Sequence, residues 1–91
     1  MAVCVHLVPV SMNAGQYQKA VEMIAEAGQG EPAGRLYHVC FGTGHKLQVV
    51  DVWNTQHEWD IFSETVMKVS AELGIEVASL TVEHVVNIIT P

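Results

Sequence analysis

The chain begins with a run of apolar residues that has no helical period, which predicts a β-strand over residues 2–10. After a polar break, apolar residues recur at spacings of three and four, the pattern of an amphipathic helix. Asn13 and Gln16 form a capping-box pair at the start of this helix, and Gly28 is typical of a helix end. The apolar stripe of the helix consists of Tyr17, Ala20, Val21, Ile24 and Ala27.

Two further apolar segments, "RLYHVCF" and "LQVVDVW", are joined by the short turn sequence "GTGHK", which predicts an antiparallel hairpin. Thr55 and Glu58 then form a second capping box, and Gly74 is the expected end of the helix that follows. The apolar stripe of this second helix consists of Trp59, Phe62, Val66, Val69 and Leu73.

A last strand, predicted over residues 78–90, completes the order β-α-β-β-α-β, which is that of the ferredoxin-like α+β fold. Right-handed crossovers and the hairpin predict a four-stranded antiparallel sheet in the order 4-1-3-2, with both helices on one face. Because 91 residues are typical of one folding unit, we expect a single ferredoxin-like domain over residues 1–91.

Side-chain alternation assigns each strand residue to the helix-covered face or to the open face of this sheet. Apolarity predicts that Val3, Val5 and Leu7 of the first strand, and Tyr37, Val39 and Phe41 of the second, face the helices. The open face then carries Cys4, His6, Val8, Leu36, His38 and Cys40. The third strand sorts ambiguously between Gln48, Val50 and Val52 and the alternating set of Leu47, Val49, Asp51 and Trp53.

A row of polar groups follows if Asp51 lies on the open face, because neighbouring strands are only about 4.8 Å apart. Asp51 would then lie between His6 and His38, and His84 of the last strand would extend the row. A histidine exchanges protons near neutral pH, and a carboxylate neighbour can tune it for that task. We therefore predict His6, His38 and Asp51 as catalytic residues able to deprotonate an acidic phenol or an α-keto carbon.

Two other uses of the same three residues remain open. Each histidine can be a buried, hydrogen-bonded residue that contributes to dimer specificity. Two histidines and a carboxylate can also form a facial metal site, but the residues lie on separate strands without a local motif such as H-x-x-x-H. We predict neither a metal nor an organic cofactor. Arg35, the only arginine, can meet a carboxylate ligand, although a surface or dimer ion pair is favoured.

The composition and net charge of the chain indicate which classes of partner and which location to expect. Ten acidic against four basic residues give a formal charge of −6, which argues against nucleic acid and anionic membranes. No apolar run is long enough to span a bilayer, and the N-terminus lacks the basic region of a signal peptide, so we expect a cytoplasmic protein. Its two cysteines, Cys4 and Cys40, are expected to be thiols. An apolar open face on a small domain predicts a homodimer through that face.

Several segments resemble one known family. The step "VVDVWNTQHEW" from strand into helix, "LGIE" after that helix, "GRLYHV" before the hairpin and the final "VEHVVNII" are similar to the antibiotic-biosynthesis-monooxygenase-like branch of the dimeric α+β barrel proteins. The resemblance covers essentially the whole chain. It implies a homodimer whose open sheet faces form a barrel-like interface, and one ligand cavity per subunit between the sheet and the helices.

The best-understood members of this family oxidise polyphenolic or quinol substrates with O₂ and use no metal or organic cofactor. Others degrade haem, isomerise small metabolites or cyclise polyketides. Trp53 matches the tryptophan with which these monooxygenases end their third strand. Three positions depart from the pattern: Val49 replaces an asparagine, Trp59 stands near the place of a tyrosine, and Val86 replaces a histidine, with His84 two residues away. The quinol-oxidising site is therefore not reproduced.

We predict a dimeric protein that binds a small aromatic or hydrophobic metabolite, either as a cofactor-independent monooxygenase or as an acid–base isomerase or cyclase. The alternative is a non-catalytic ligand-binding or assembly module of the same fold, whose interior would be filled by Trp53 and Phe62. Haem binding or degradation is the third possibility. The predicted ligand-binding residues are Trp53, Val49, Cys40, Phe62 and His84.

Overall fold

Four strands and two helices follow one another in the predicted order in the computed structural model, which describes residues 1–91. The π-helical turn at the end of the first helix is the one element that the sequence did not predict. The elements are β1 (Val3–Pro9), α1 (Ala14–Ile24) with the π-helical turn Ala25–Gln29, β2 (Arg35–Phe41), β3 (Gln48–Trp53), α2 (Gln56–Glu72) and β4 (Val77–His84).

The strands form one antiparallel sheet in the order β2-β3-β1-β4, which is the predicted order 4-1-3-2. Strands β3 and β1 occupy its centre, whereas β2 and β4 lie at the edges. The ferredoxin-like α+β prediction is therefore confirmed. Neither helix is long and apolar enough to cross a membrane.

Both helices begin at the predicted caps. The Asn13 side chain accepts a hydrogen bond from the Gln16 amide at 2.8 Å, and the Gln16 side chain accepts one from the Asn13 amide at 2.9 Å. The Thr55 hydroxyl accepts from the Glu58 amide at 3.2 Å. Such caps pair amides that would otherwise lack a partner in the first helical turn.

The helical backbone of α1 is interrupted at the predicted glycine. The regular helix ends at Ile24, and the turn Ala25–Gln29 that follows is broken at Gly28, whose φ of 85° lies outside the helical range and is typical of a glycine that ends a helix. Here the turn contributes Ala25 and Gln29 to the wall of the cavity described below.

The predicted sorting of β2 between the two faces of the sheet was wrong, and the ambiguous sorting of β3 is resolved with Asp51 on the helix-covered face. Asp51 is paired with Val5 on one side and with His38 on the other, and Val5 is a core residue beneath the helices. Asp51 and His38 therefore lie on the helix-covered face. His6 is paired with Val50, so it lies on the open face. The expected row of His6, Asp51 and His38 does not form.

The open face instead carries the apolar side chains of β2 that were expected beneath the helices. Tyr37, Val39 and Phe41 are 46%, 52% and 42% exposed. The pairing of β2 with β3 shifts between Arg35 and Tyr37, so Leu36 forms a β-bulge. A bulge breaks strict alternation, and apolarity alone does not separate two faces that are both apolar.

The last strand is shorter than predicted. Strand β4 ends at His84, after which the Val85 amide donates a hydrogen bond to the Ala2 carbonyl at 2.9 Å. Residues 86–91 have no regular structure, and Val86 and Ile89 are 100% and 87% exposed. His84 is paired with Val3 and lies on the helix-covered face, contrary to its expected place in the open-face row.

The hydrophobic core lies between the sheet and α2. Its central cluster consists of Val3, Val5, Trp53, Trp59 and Phe62. The Trp53 ring is fully buried, with its centroid 5.0 Å from that of Phe62 and 6.0 Å from that of Trp59. This aromatic cluster joins the end of β3 to the first turns of α2.

Candidate functional site

A cavity of about 210 Å³ lies between the helix-covered face of the sheet and the two helices, and it opens to solvent. Most of its wall is apolar. Four side chains that can carry charge or exchange a proton reach it: Tyr17, Arg35, His38 and Asp51. An apolar pocket with a few convergent polar groups is typical of a ligand site.

Three of these side chains form one hydrogen-bonded chain. The Tyr17 hydroxyl lies 2.6 Å from His38 Nε2, and His38 Nδ1 lies 2.5 Å from Asp51 Oδ1. The second carboxylate oxygen of Asp51 accepts a hydrogen bond from the Trp53 indole at 3.2 Å. Asp51 is only 4% exposed, so both of its oxygens are paired inside the protein.

Charge and burial indicate which way these hydrogen bonds run. Burial raises the pKa of Tyr17, and the neighbouring Cys40 and Asp51 add to the shift while Arg35 opposes it. A phenol is protonated at neutral pH, and the raised pKa keeps it so, while Asp51 can only accept a hydrogen bond from His38 Nδ1; the Tyr17 hydroxyl therefore donates a hydrogen bond to Nε2 of the neutral imidazole. The Nδ1–H group of His38 then donates to Asp51, which holds the imidazole in one tautomer.

The secondary structure fixes the position of each member of the chain. Asp51 belongs to the central strand β3, and His38 lies directly beside it on the edge strand β2. Tyr17 lies in the first turns of α1, and its ring is nearly parallel to the His38 imidazole, with centroids 5.9 Å apart and planes 8° apart. The arrangement is thus built from a core strand outward, with Tyr17 and His38 nearest the solvent.

The structure brings only some of the predicted site residues to the cavity wall. His38, Asp51, Val49 and Phe62 line the cavity. Trp53 lies behind the cavity wall and supports Asp51. Cys40 and His84 share the helix-covered face but are not in the cavity wall.

His6 lies on the other side of the sheet. Its Nε2 atom is 2.7 Å from Gln48 Oε1, and its ring stacks on Phe41 with centroids 6.3 Å apart. The sheet itself therefore separates His6 from His38 and Asp51. The facial metal set of two histidines and a carboxylate needs all three side chains on one face, and no group of three metal-ligating side chains converges.

Two cavity residues, Tyr17 and Arg35, were not among the predicted site residues. Tyr17 belongs to the apolar stripe of α1, and a tyrosine in such a stripe gives no sign that its hydroxyl has a partner. Arg35 is three residues before His38, which places the two on opposite faces of a regular strand. The bulge at Leu36 brings both to the same face. Neither contact is visible in the sequence pattern.

Comparisons with known proteins reveal similarity of structure and not of sequence. No family model matches the chain, and no curated protein matches it. Solved structures match over nearly its whole length. A candidate antibiotic biosynthesis monooxygenase from Chloroflexus aurantiacus has a TM-score of 0.69 and 13% identity, over 99% of this chain and 98% of that one.

Two other neighbours have been described in more chemical detail. SnoaB, a cofactor-independent oxygenase from Streptomyces nogalater, was solved as a point mutant and matches with a TM-score of 0.69 and 8% identity, over 99% and 98% of the two chains. MhuD, solved as a point mutant with two manganese protoporphyrins, matches with a TM-score of 0.60 and 19% identity over the whole of both chains. A dimeric ferredoxin-like protein from an uncultured marine organism also matches, with a TM-score of 0.60 and 14% identity, over 99% of this chain and 93% of that one.

These likenesses confirm the fold that the sequence motifs suggested. The chain has the ferredoxin-like α+β fold of the antibiotic-biosynthesis-monooxygenase-like proteins, at low sequence identity. Proteins of this fold include oxygenases and a protoporphyrin-binding protein, so the fold alone does not determine the reaction.

Proposed function

We propose that this protein is a cofactor-independent acid–base catalyst acting on a small, largely aromatic or hydrophobic metabolite, with His38 as general base. The observation that carries the proposal is the continuous hydrogen-bonded chain from Tyr17 through His38 to Asp51, whose three side chains line an apolar cavity. A base oriented by a buried carboxylate is a recurrent arrangement in enzymes that move protons.

In this mechanism the reacting C–H or O–H group of the substrate approaches His38 Nε2, and the Tyr17 hydroxyl turns to donate to the substrate oxygen. The proton passes to Nε2, and Asp51 stabilises the imidazolium that forms. Negative charge develops on the substrate oxygen, where the Tyr17 hydroxyl stabilises it. Tyr17 can do so because its raised pKa keeps it protonated.

Two outcomes follow from the same carbanion. Without O₂, return of the proton from His38 to a different carbon gives isomerisation, whereas attack of the carbanion on a carbonyl carbon of the same molecule, with the proton passing to the alkoxide that forms, gives cyclisation. Attack on O₂ forms a peroxide, and loss of water from it converts a CH₂ group into a carbonyl, with one oxygen atom retained and the other released as water. The likeness to the cofactor-independent oxygenase SnoaB supports the second outcome. Isomerisation or cyclisation remains the alternative outcome, because Val49 stands where the antibiotic-biosynthesis monooxygenases have an asparagine.

The volume of the cavity supports a ligand with about one ring. An apolar cavity of roughly 150 Å³ holds benzene, and drug-sized ligands occupy roughly 300–1,000 Å³. A cavity of about 210 Å³ therefore favours a substituted single ring over haem. It also disfavours the version of the assembly module whose interior is filled by Trp53 and Phe62.

Proton abstraction can be tested before the natural substrate is known. We expect the purified protein to accelerate exchange of an acidic C–H proton of a small hydroxylated aromatic ketone or quinol with deuterated water, as measured by NMR. Oxygen uptake with the same compounds, measured with an oxygen electrode, separates oxygenation from isomerisation. If no compound of this class exchanges faster than in buffer, the proposal fails.

We also propose that the open sheet face mediates a homodimer. Tyr37, Val39 and Phe41 leave an apolar surface that a second copy would cover, and neighbours of this fold are dimeric.

Two free cysteines, Cys4 and Cys40, are consistent with the reducing cytoplasm as the location of this assembly.

A charge on the open face should weaken this dimer. In Val39→Lys a lysine would be buried opposite an apolar partner surface, and we expect the dissociation constant to rise at least about tenfold. Light scattering coupled to size exclusion over a dilution series measures the change. The matched control is Ile61→Lys, because Ile61 is 50% exposed on α2 and lies outside the sheet face. An unchanged dimer in Val39→Lys would contradict the interface.

A further inference from the structure

Arg35 is the one permanently positive side chain in the wall of the cavity. Its guanidinium carbon lies 5.5 Å from the centre of the Phe62 ring, and no carboxylate lies within 4.0 Å of its nitrogens. A guanidinium over an aromatic face is held in place while its edge N–H groups stay free to donate. The expected surface ion pair is therefore absent within this chain.

Asp51 is the one acidic side chain in the cavity wall, and its carboxylate already has hydrogen-bond partners. Its two oxygens accept hydrogen bonds from His38 and Trp53. Glu58, at the start of α2, accepts a hydrogen bond from the Thr55 hydroxyl at 2.8 Å as part of the helix cap. The cavity thus presents a cation with unused donors, although the chain as a whole carries a charge of −6.

We infer that the ligand of this cavity is a carboxylic acid, whose carboxylate is bound by Arg35 while its reacting hydrogen faces His38 and Tyr17. This inference rests on the proposed function, which supplies the reacting end of the ligand. Arginine matches a carboxylate with two parallel N–H donors, and such pairs are stronger than neutral hydrogen bonds. The phenyl ring of Phe62 gives the ligand an apolar wall beside the guanidinium.

The spacing of the two ends agrees with a ligand of one ring. The bulge at Leu36 pairs Arg35 with Trp53 and His38 with Asp51, so the two residues share a face and are separated by two residues of β3, roughly 7 Å along a strand. Both side chains reach inward from these positions to line one cavity. The substrate class is therefore a small aromatic or alicyclic acid with its ionisable hydrogen at the end opposite the carboxylate.

Calorimetric titration with two matched probes, 4-hydroxybenzoate and its neutral analogue 4-hydroxybenzamide, tests the inference. We expect wild-type protein to bind the acid at least about tenfold more tightly than the amide. Arg35→Gln should remove this preference and leave the affinity for the amide within about twofold. Lys19→Gln, which removes an exposed positive charge from α1, should keep the preference.

The outcomes separate this inference from the proposed function. Equal binding of acid and amide by the wild type, or a preference that survives in Arg35→Gln, overturns the role of Arg35 and leaves the cavity as a ligand site. Failure of both probes to bind at millimolar concentration contradicts both proposals. If Arg35→Gln does not fold, Arg35→Lys decides in its place, since a retained charge should keep part of the preference for the acid.

Discussion

Replacing His38 by alanine should lower kcat on an accepted substrate by roughly 10²- to 10³-fold, within the range found for general bases. The His38 imidazole is the proposed proton acceptor, and the buried Asp51 carboxylate 2.5 Å away stabilises the imidazolium that forms. KM should change little, because the apolar wall of the cavity remains. Steady-state kinetics of the exchange or oxygenation reaction measure both constants.

Two variants make this prediction specific. His38→Gln keeps a polar side chain between Tyr17 and Asp51 but cannot accept a proton, so its kcat should fall as far as in His38→Ala. His45→Ala removes a histidine from the exposed hairpin turn and should leave kcat unchanged. Full turnover in His38→Gln would exclude His38 as the base even if the fold and the ligand site were intact.

The fold could be predicted because each element carries a local signal of its own. Asn13 and Thr55 cap their helices where the motif indicates, and the turn at 42–46 sets the hairpin between β2 and β3. Chirality and short connections then leave few topologies for this order of elements. The prediction failed for residues 85–90, whose apolar pattern is that of a strand although β4 ends at His84.

The candidate site was predicted only in part, because the side of the sheet on which its residues lie depends on tertiary structure. His38 and Asp51 were correctly placed next to each other, since they are paired across β2 and β3. The choice of face was wrong because Val39 and Phe41 suggested a core that is in fact the open surface. The Leu36 bulge, which aligns Arg35 with His38, has no sequence signal of its own.

The position of Asp51 explains how a charged residue fits in a buried strand. Its carboxylate lies on the core side of β3, where His38 and Trp53 each donate to one oxygen. A buried carboxylate without these donors would be costly, so the two partners make the site and the core depend on each other. The tryptophan of the "DVW" step is thus a structural support for the proposed base.

Trp53→Ala should be the most destabilising single substitution in the chain. Trp53 is fully buried and packs against Phe62 and Trp59. Truncating a buried tryptophan costs about 3–5 kcal/mol, which is much of the 5–15 kcal/mol that stabilises a typical protein. For a domain of this size that loss lowers Tm by more than about 12 °C. Thermal unfolding followed by circular dichroism, at one fixed protein concentration, measures it.

Trp53→Phe distinguishes packing from hydrogen bonding in this loss. Phenylalanine keeps an aromatic ring against Phe62 but has no indole N–H, so one oxygen of the buried Asp51 loses its donor. That lost donor should cost about 1–3 kcal/mol, less than the alanine variant. Because Asp51 would remain bound to His38, the phenylalanine variant should fold and keep a measurable kcat, although a lower one. A Trp53→Ala protein that melts within a few degrees of wild type would contradict the central place of this residue in the core.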